Sequence, residues 1–241
     1  MRQSLTLLLE AWMILTAVSS LAAQRKHAEE EAALKPPEAI SVTDIMVPIA
    51  GSGTVVLEAV VTGRGKLQKV DVRRDVPTLT PLAVQAVEDW KFLPATLAGR
   101  IIVARIPVAV TFRPPGYAAV VPLPPLIPQS EAAIQAAFQP AEITRAAFPK
   151  YPDNTVVSGA VILEARLSEN GEVEELKVLR DLPPLTDEAR IAAKDFHFVP
   201  AAYNGSSVRS TAMLAFVSQP VPVTSSLSSS GGPDYGRLRG W

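Results

Sequence analysis

The sequence predicts an α+β protein made of two tandem copies of one unit, each running strand, strand, helix, strand as a three-stranded antiparallel sheet with one packed helix. Three observations predict it. Residues 53–99 lie over residues 159–205 at a constant offset of 106 without a gap, and 19 of these 47 positions are identical, the mark of one structural unit used twice. Val55, Leu57 and Ala59 alternate with Thr54, Val56 and Glu58, as do Val161, Leu163 and Ala165 with their neighbours, the period of a half-buried strand. Ala83, Ala86, Val87 and Trp90 fall at i, i+3, i+4 and i+7, matched by Ala189, Ala192, Ala193 and Phe196, a single helical stripe.

In chain order, residues 1–23 read as an export segment. Met1 and Arg2 precede an apolar stretch from Leu5 to Leu21, and small residues at Ala22 and Ala23 suit cleavage there. A retained anchor over residues 5–22 is the alternative; Glu10 within the stretch disfavours it, since a charge at membrane depth costs about 2.5 to 3.5 kcal/mol. Residues 24–38 read as a spacer helix, with Arg25 four before Glu29 and Lys26 four before Glu30, stopped by Pro36-Pro37. The first unit is placed at 39–113 and the second at 131–219. Between them, 114–130 is proline-rich and reads as a semi-rigid connector. The tail 220–241 carries serine and glycine runs with little to bury and reads as disordered.

Within each unit, Gly63-Arg64-Gly65 and Asn170-Gly171 turn the first strand into the second, Leu67 to Arg73 and Val173 to Leu179. Thr80 and Thr186 are placed as helix caps, with Pro81 in the first turn. Pro94 and Pro200 are read as ending the helices, and Gly99 and Gly205 as turning into a last strand. That strand carries Ile102, Ala104, Ile106, Val108, Val110 and Phe112 in the first copy, and Val208, Ser210, Ala212, Leu214, Phe216 and Ser218 in the second.

Composition narrows the function. The formal charge is −1 with no dense Lys/Arg stripe, so a nucleic-acid footprint is missing. Cysteine is absent, which removes disulfides, thiolate metal sites and a cysteine nucleophile. Histidine occurs only at His27 and at His197, where the sister copy has Lys91, so a Ser-His-Asp machine would rest on a position its twin does without. Gly51-Ser-Gly53 lacks the ending of a phosphate loop, and no histidine pair has metal spacing. We expect no catalytic, cofactor or metal residues. Glu58 and Glu164 are read as a solvated face, and the repeated Arg74-Asp75 and Arg180-Asp181 as loop-holding pairs rather than partner contacts.

Each copy resembles the carboxy-terminal domain of TonB-type energy transducers. The resemblance rests on Gly53-Thr-Val-Val-Leu and Gly159-Ala-Val-Ile-Leu, the hairpin glycines Gly65 and Gly171, and the ends Trp90-Lys-Phe-Leu-Pro94 and Phe196-His-Phe-Val-Pro200. Tyr151-Pro152 also looks like the family's lead-in segment, which the first copy lacks. The resemblance implies a periplasmic protein-interaction module that takes an extended peptide of an outer-membrane transporter or envelope partner as an added strand. An inner-membrane-anchored energy transducer is the alternative; an envelope hydrolase or small-ligand carrier is the alternative of another class, and would need a pocket with convergent polar groups. No histidine lies in residues 1–23 and the spacer is short, both unlike the family's motor-coupled members.

The last strand of each copy is expected to be the free edge. Pro107 interrupts the first copy's strand, whereas Met213 keeps its N–H. The partner site is therefore placed on Val208, Ser210, Thr211, Ala212, Met213, Leu214, Ala215 and Phe216. Burial of the two edges against each other, or under residues 39–48, is the alternative.

Overall fold

The computed structural model describes residues 34–45, 51–113, 122–150 and 157–218. The first unit comprises β1 (Leu34–Lys35), β2 (Glu38–Ser41), β3 (Gly53–Val61), β4 (Leu67–Arg74), α1 (Thr80–Glu88), β5 (Lys91–Leu93), β6 (Ala95–Leu97), β7 (Arg100–Ile102) and β8 (Ala104–Arg113). A short helix α2 (Glu131–Ile134), capped by the Ser130 hydroxyl, opens the second unit. There follow β9 (Phe138–Gln139), β10 (Glu142–Arg145), β11 (Gly159–Leu167), β12 (Val173–Arg180), α3 (Leu185–Lys194), β13 (His197–Val199), β14 (Ala201–Tyr203), β15 (Ser206–Val208) and β16 (Ser210–Ser218). The mixed α+β class and the antiparallel triplets β4-β3-β8 and β12-β11-β16 agree with the sequence reading.

The triplets do not stand apart. They merge into one six-stranded sheet, β12-β11-β16-β8-β3-β4, in which the two last strands run parallel from Met213 beside Val108 to Ser218 beside Arg113. Equivalent strands side by side and parallel imply a pseudo-twofold axis along them, so the two helices lie on opposite faces. The cores show this. Leu79, Ala83 and Val87 of the α1 region pack with Val55, Leu57, Val108 and Val110, and also with Met213, Ala215 and Val217 of the other unit. Ala189, Ala192 and Ala193 of α3 pack with Leu163, Ala212, Leu214 and Phe216, and also with Val56 and Ala109. Alternate residues of β16 thus feed two cores, which is why every one of them is buried.

The ends of the helices differ from expectation. Helix α1 stops at Glu88 and α3 at Lys194; Lys91–Leu93 and His197–Val199 are short strands paired with β2 and β10. Trp90 and Phe92 therefore turn inward with a period of two rather than along a helix, and His197 sits exposed on a strand. Leu34–Lys35 and Glu38–Ser41 are strands rather than the end of a spacer helix, because β6 and β5 offer them backbone partners. Nor do the threonines cap: the Thr80 hydroxyl accepts from Val76 N–H (3.0 Å) and donates to Asp75 (2.6 Å), and the Thr186 hydroxyl accepts from Leu182 N–H, so both tie the loop before the helix. No described helix is long and apolar enough to cross a membrane. The export or anchor segment, residues 24–33 of the spacer, Tyr151-Pro152 and the tail lie outside the described residues.

Candidate functional site

The residues assigned to a receiving edge, Ser210, Thr211, Ala212, Met213, Leu214, Ala215 and Phe216, with Val208 just before them in β15, are not at an edge. Strand β16 is bonded along its length to β11 and, from Met213 onward, to β8, so its backbone is occupied from both sides there. Its first residues are covered too, since the Thr211 hydroxyl donates to the Pro37 carbonyl at 3.1 Å. Of the alternatives weighed on the sequence, the two last strands cover each other.

The outer strands are the second strands of each unit, β4 and β12. They are not alike. On β4 the connector returns to the edge: Ile127 N–H donates to the Arg73 carbonyl at 2.7 Å, the Arg73 guanidinium donates to the Ile127 carbonyl, and Arg74 donates to the Pro124 carbonyl at 2.6 Å. On β12, Leu179 stands where β4 has Arg73. Among the described residues no loop or strand bonds to its outer side.

The repeated arginines clamp one unit to the other. Arg74 also donates to the Ile143 carbonyl at 3.2 Å and lies 3.6 Å from Glu142, both on the lead-in of the second unit. Arg180 reciprocates on the first unit's lead-in by an ion pair with Asp44, and Lys177 pairs with Glu38. Asp75 holds its own loop, as expected; the arginines reach across.

Glu58 and Glu164, read as a solvated face, are buried at 5% and 1% exposure. Their neighbourhoods diverge. Glu58 lies near Arg105 (3.6 Å) and Arg73 (3.8 Å) and accepts from the Gln129 amide at 2.8 Å. In the second unit Thr211 and Leu179 replace those arginines, and Glu164 accepts only Ala39 N–H, at 2.7 Å, leaving Oε1 without a partner. Burial pushes the Glu164 carboxyl above the ordinary carboxylate range, against the pull of the Ala39 bond and of Lys177. Glu38 moves the other way, lowered by its hydrogen bond and charge pairing with Lys177.

A pH dependence follows from the signs. A buried acid with a raised value binds its proton more tightly when folded, so stability falls as pH rises through the window from the ordinary carboxylate value to the raised one. The Glu38 window lies below the ordinary value, where stability falls as pH drops, and its weight is small because the pair is half exposed. Glu164→Gln keeps an acceptor for Ala39 N–H without the charge. Thermal melts against pH are expected to show the wild-type decline above the ordinary carboxylate range flattened in this variant, with a higher melting temperature at neutral pH. An unchanged slope would mean that Glu164 ionises without cost.

Clefts adjoin both carboxylates, about 260 Å³ beside Glu58 and about 300 Å³ beside Glu164. The second is floored by Pro36, Pro37 and Leu167. Neither brings a histidine to a carboxylate. Among the described residues no group of three His, Asp or Glu side chains could hold a metal ion.

The sequence did carry a signal for the central position of β16 that reading for an edge passes over. Ala212 to Val217 is an unbroken apolar run, and a strand buried on both faces reads that way where a half-exposed edge alternates. No local signal marks Glu164, whose partners come from 125 residues earlier in the chain. Comparison with known proteins adds one finding and two blanks. No curated protein and no solved structure matches the chain. Residues 144–217, about a third of the chain, match the family described as Gram-negative bacterial TonB protein C-terminal, a match that covers β11, β12, α3 and nearly all of β16.

Proposed function

We propose that the chain is a periplasmic protein-interaction module that receives an extended peptide from an outer-membrane transporter or other envelope partner as an added strand on β12. The match of the second unit to a family of Gram-negative periplasmic interaction domains supports the periplasmic, protein-binding role. The observation that carries the mode is the contrast between the two outer strands. The β4 edge already holds a segment of the chain's own connector, fixed by the main-chain bond from Ile127 N–H to the Arg73 carbonyl and by the Arg74 guanidinium on the Pro124 carbonyl. The β12 edge has the same strand geometry and no such occupant among the described residues. Main-chain bonds would supply affinity, and the side chains flanking the edge, Glu174, Glu175 and Lys177, would select the partner.

Amide hydrogen exchange of the whole protein, with and without a receptor-derived peptide, tests this. The outward-facing amides of Val173–Arg180 are expected to slow by at least about fivefold on peptide addition, as an edge N–H gains a partner worth about 1 kcal/mol or more. Amides of β16 are expected to be slow already and to stay so. Protection that appears in β4, or in neither outer strand, would overturn the assignment.

A further inference from the structure

One end of the first unit carries a surface that its twin lacks. Leu93, Ile101, Val103 and Ile40 are exposed there at 49 to 60%. At the matching places the second unit has Val199, Ser207, Arg209 and Thr144, so three of the four apolar side chains are peculiar to the first. The charges diverge as well. Arg64, Lys66, Lys91 and Arg100 are exposed, and stand against Asn170, Glu172, His197 and Ser206.

These residues share one region. Thr96 links Lys35 on β1 to Ile101 on β7. A methyl group on Gly63 would lie 2.9 Å from the Ile101 side chain, and Phe92 N–H donates to the Gly65 carbonyl at 2.8 Å, which brings the Arg64 turn against Leu93. Lys66 and Lys91 form a β-bridge. None of Lys35, Arg64, Lys66, Lys91 and Arg100 is ion-paired to a described residue. The nearby exposed acids are Glu88 and Asp89 after α1 and Glu174, which shares a cleft with Leu34 and Lys35 and pairs with Arg209, so the five cations outnumber them.

We infer that this end of the first unit rests on the surface of an anionic lipid bilayer, its apolar side chains in the headgroup boundary and its cations on the lipid phosphates. Apolar residues rimmed by lysine and arginine are what an interfacial contact requires. The exposed apolar side chains select a membrane over an acidic protein, which would engage the cations alone. If the Leu5–Leu21 stretch is the retained anchor of the alternative reading, residues 22–33 hold Leu34, paired with Leu97 next to this surface, within about 40 Å of the bilayer. The inference rests on the periplasmic placement above and is independent of the β12 edge.

The chain has no cysteine, so a single introduced thiol takes an environment-sensitive fluorophore at one place. The full chain carrying Ile101→Cys, labelled, is mixed with vesicles of phosphatidylglycerol and phosphatidylcholine, with vesicles of phosphatidylcholine alone, and with polyglutamate. Emission is expected to rise at least twofold and shift to the blue with the anionic vesicles only. The same label at Ser207→Cys is expected to stay unchanged. Adding Lys66→Gln and Arg100→Gln is expected to cut the rise at least fivefold, since each cation near a charged bilayer is worth roughly that factor. Ser207→Cys in that neutralised background reports whether the fold is kept. No rise at residue 101, an equal rise at residue 207, an equal rise with neutral vesicles, or a response to polyglutamate without one to lipid would each overturn the inference. The β12 exchange experiment reads another surface, so failure of one leaves the other standing.

Discussion

Met213→Pro is expected to unfold the protein rather than to block a partner. Met213 is 1% exposed, lies beside Glu164 on one side and begins the parallel ladder with Val108 on the other. A proline there deletes a main-chain donor in a central strand and drives its ring against a neighbouring strand. The lost bond and the stranded buried carbonyl together cost roughly 3 to 5 kcal/mol, against a total stability of about 5 to 15 kcal/mol for a protein of this kind. Urea melts read this directly: the midpoint is expected to drop sharply, while Met213→Leu, which conserves volume, is expected to cost less than about 1.5 kcal/mol. Wild-type stability in Met213→Pro would show that β16 is not central.

The comparison with Pro107 makes the point sharper. Pro107 is the sister residue of Met213 and sits in β8 opposite Glu58. It is tolerated because β8 begins its pairing with β16 one residue later, at Val108, so no ladder bond is missing there. The same residue type, one copy apart, is harmless just before the shared ladder on β8 and ruinous at its first pair on β16. From Gly53 and Gly159 onward the two units keep one sequence offset but not the same hydrogen bonding.

This also marks how far the sequence could be read. The helical stripe from Ala83 to Val87, the hairpin turn at Asn170-Gly171 and the strand alternation are local patterns, and all correspond to elements observed, whereas Trp90 lies beyond the helix. What was not local was misplaced. Whether β16 is an edge depends on what docks beside it, and β8 lies more than a hundred residues away along the chain. Glu58 looks like any outward residue of a half-buried strand until Arg73, Arg105 and Gln129 are brought round it. The lead-in strands escaped for a simpler reason: Pro36-Pro37-Glu38 lies over Pro140-Ala141-Glu142 at an offset of 104 rather than 106. An alignment anchored at the longer repeat slides past it, and the first unit's lead-in looks like spacer.

Gly65→Ala is the second substitution expected to have a large effect, and it separates backbone strain from collision. Gly65 has φ of +74°, and an added Cβ would lie 1.8 Å from the Phe92 carbonyl oxygen. The obstacle is backbone, held in place because Phe92 N–H donates to the Gly65 carbonyl, so it cannot swing aside as a side chain would. Gly99 supplies the control, with φ of +76° and nothing within 4 Å of an added Cβ. Gly99→Ala should therefore cost only the left-handed penalty of about 1 to 2 kcal/mol. Gly65→Ala adds the collision and should cost about 3 kcal/mol or more, a fall of roughly 6 to 12 °C in melting temperature for a chain of this size. Gly171→Ala, whose Cβ would sit 2.4 Å from the Phe198 carbonyl oxygen, should fall between them. Equal losses at Gly65 and Gly99 would mean that the turn is free to lift off β5. The close docking of each hairpin turn onto the short strand after its helix would then be no part of what holds the two units in shape.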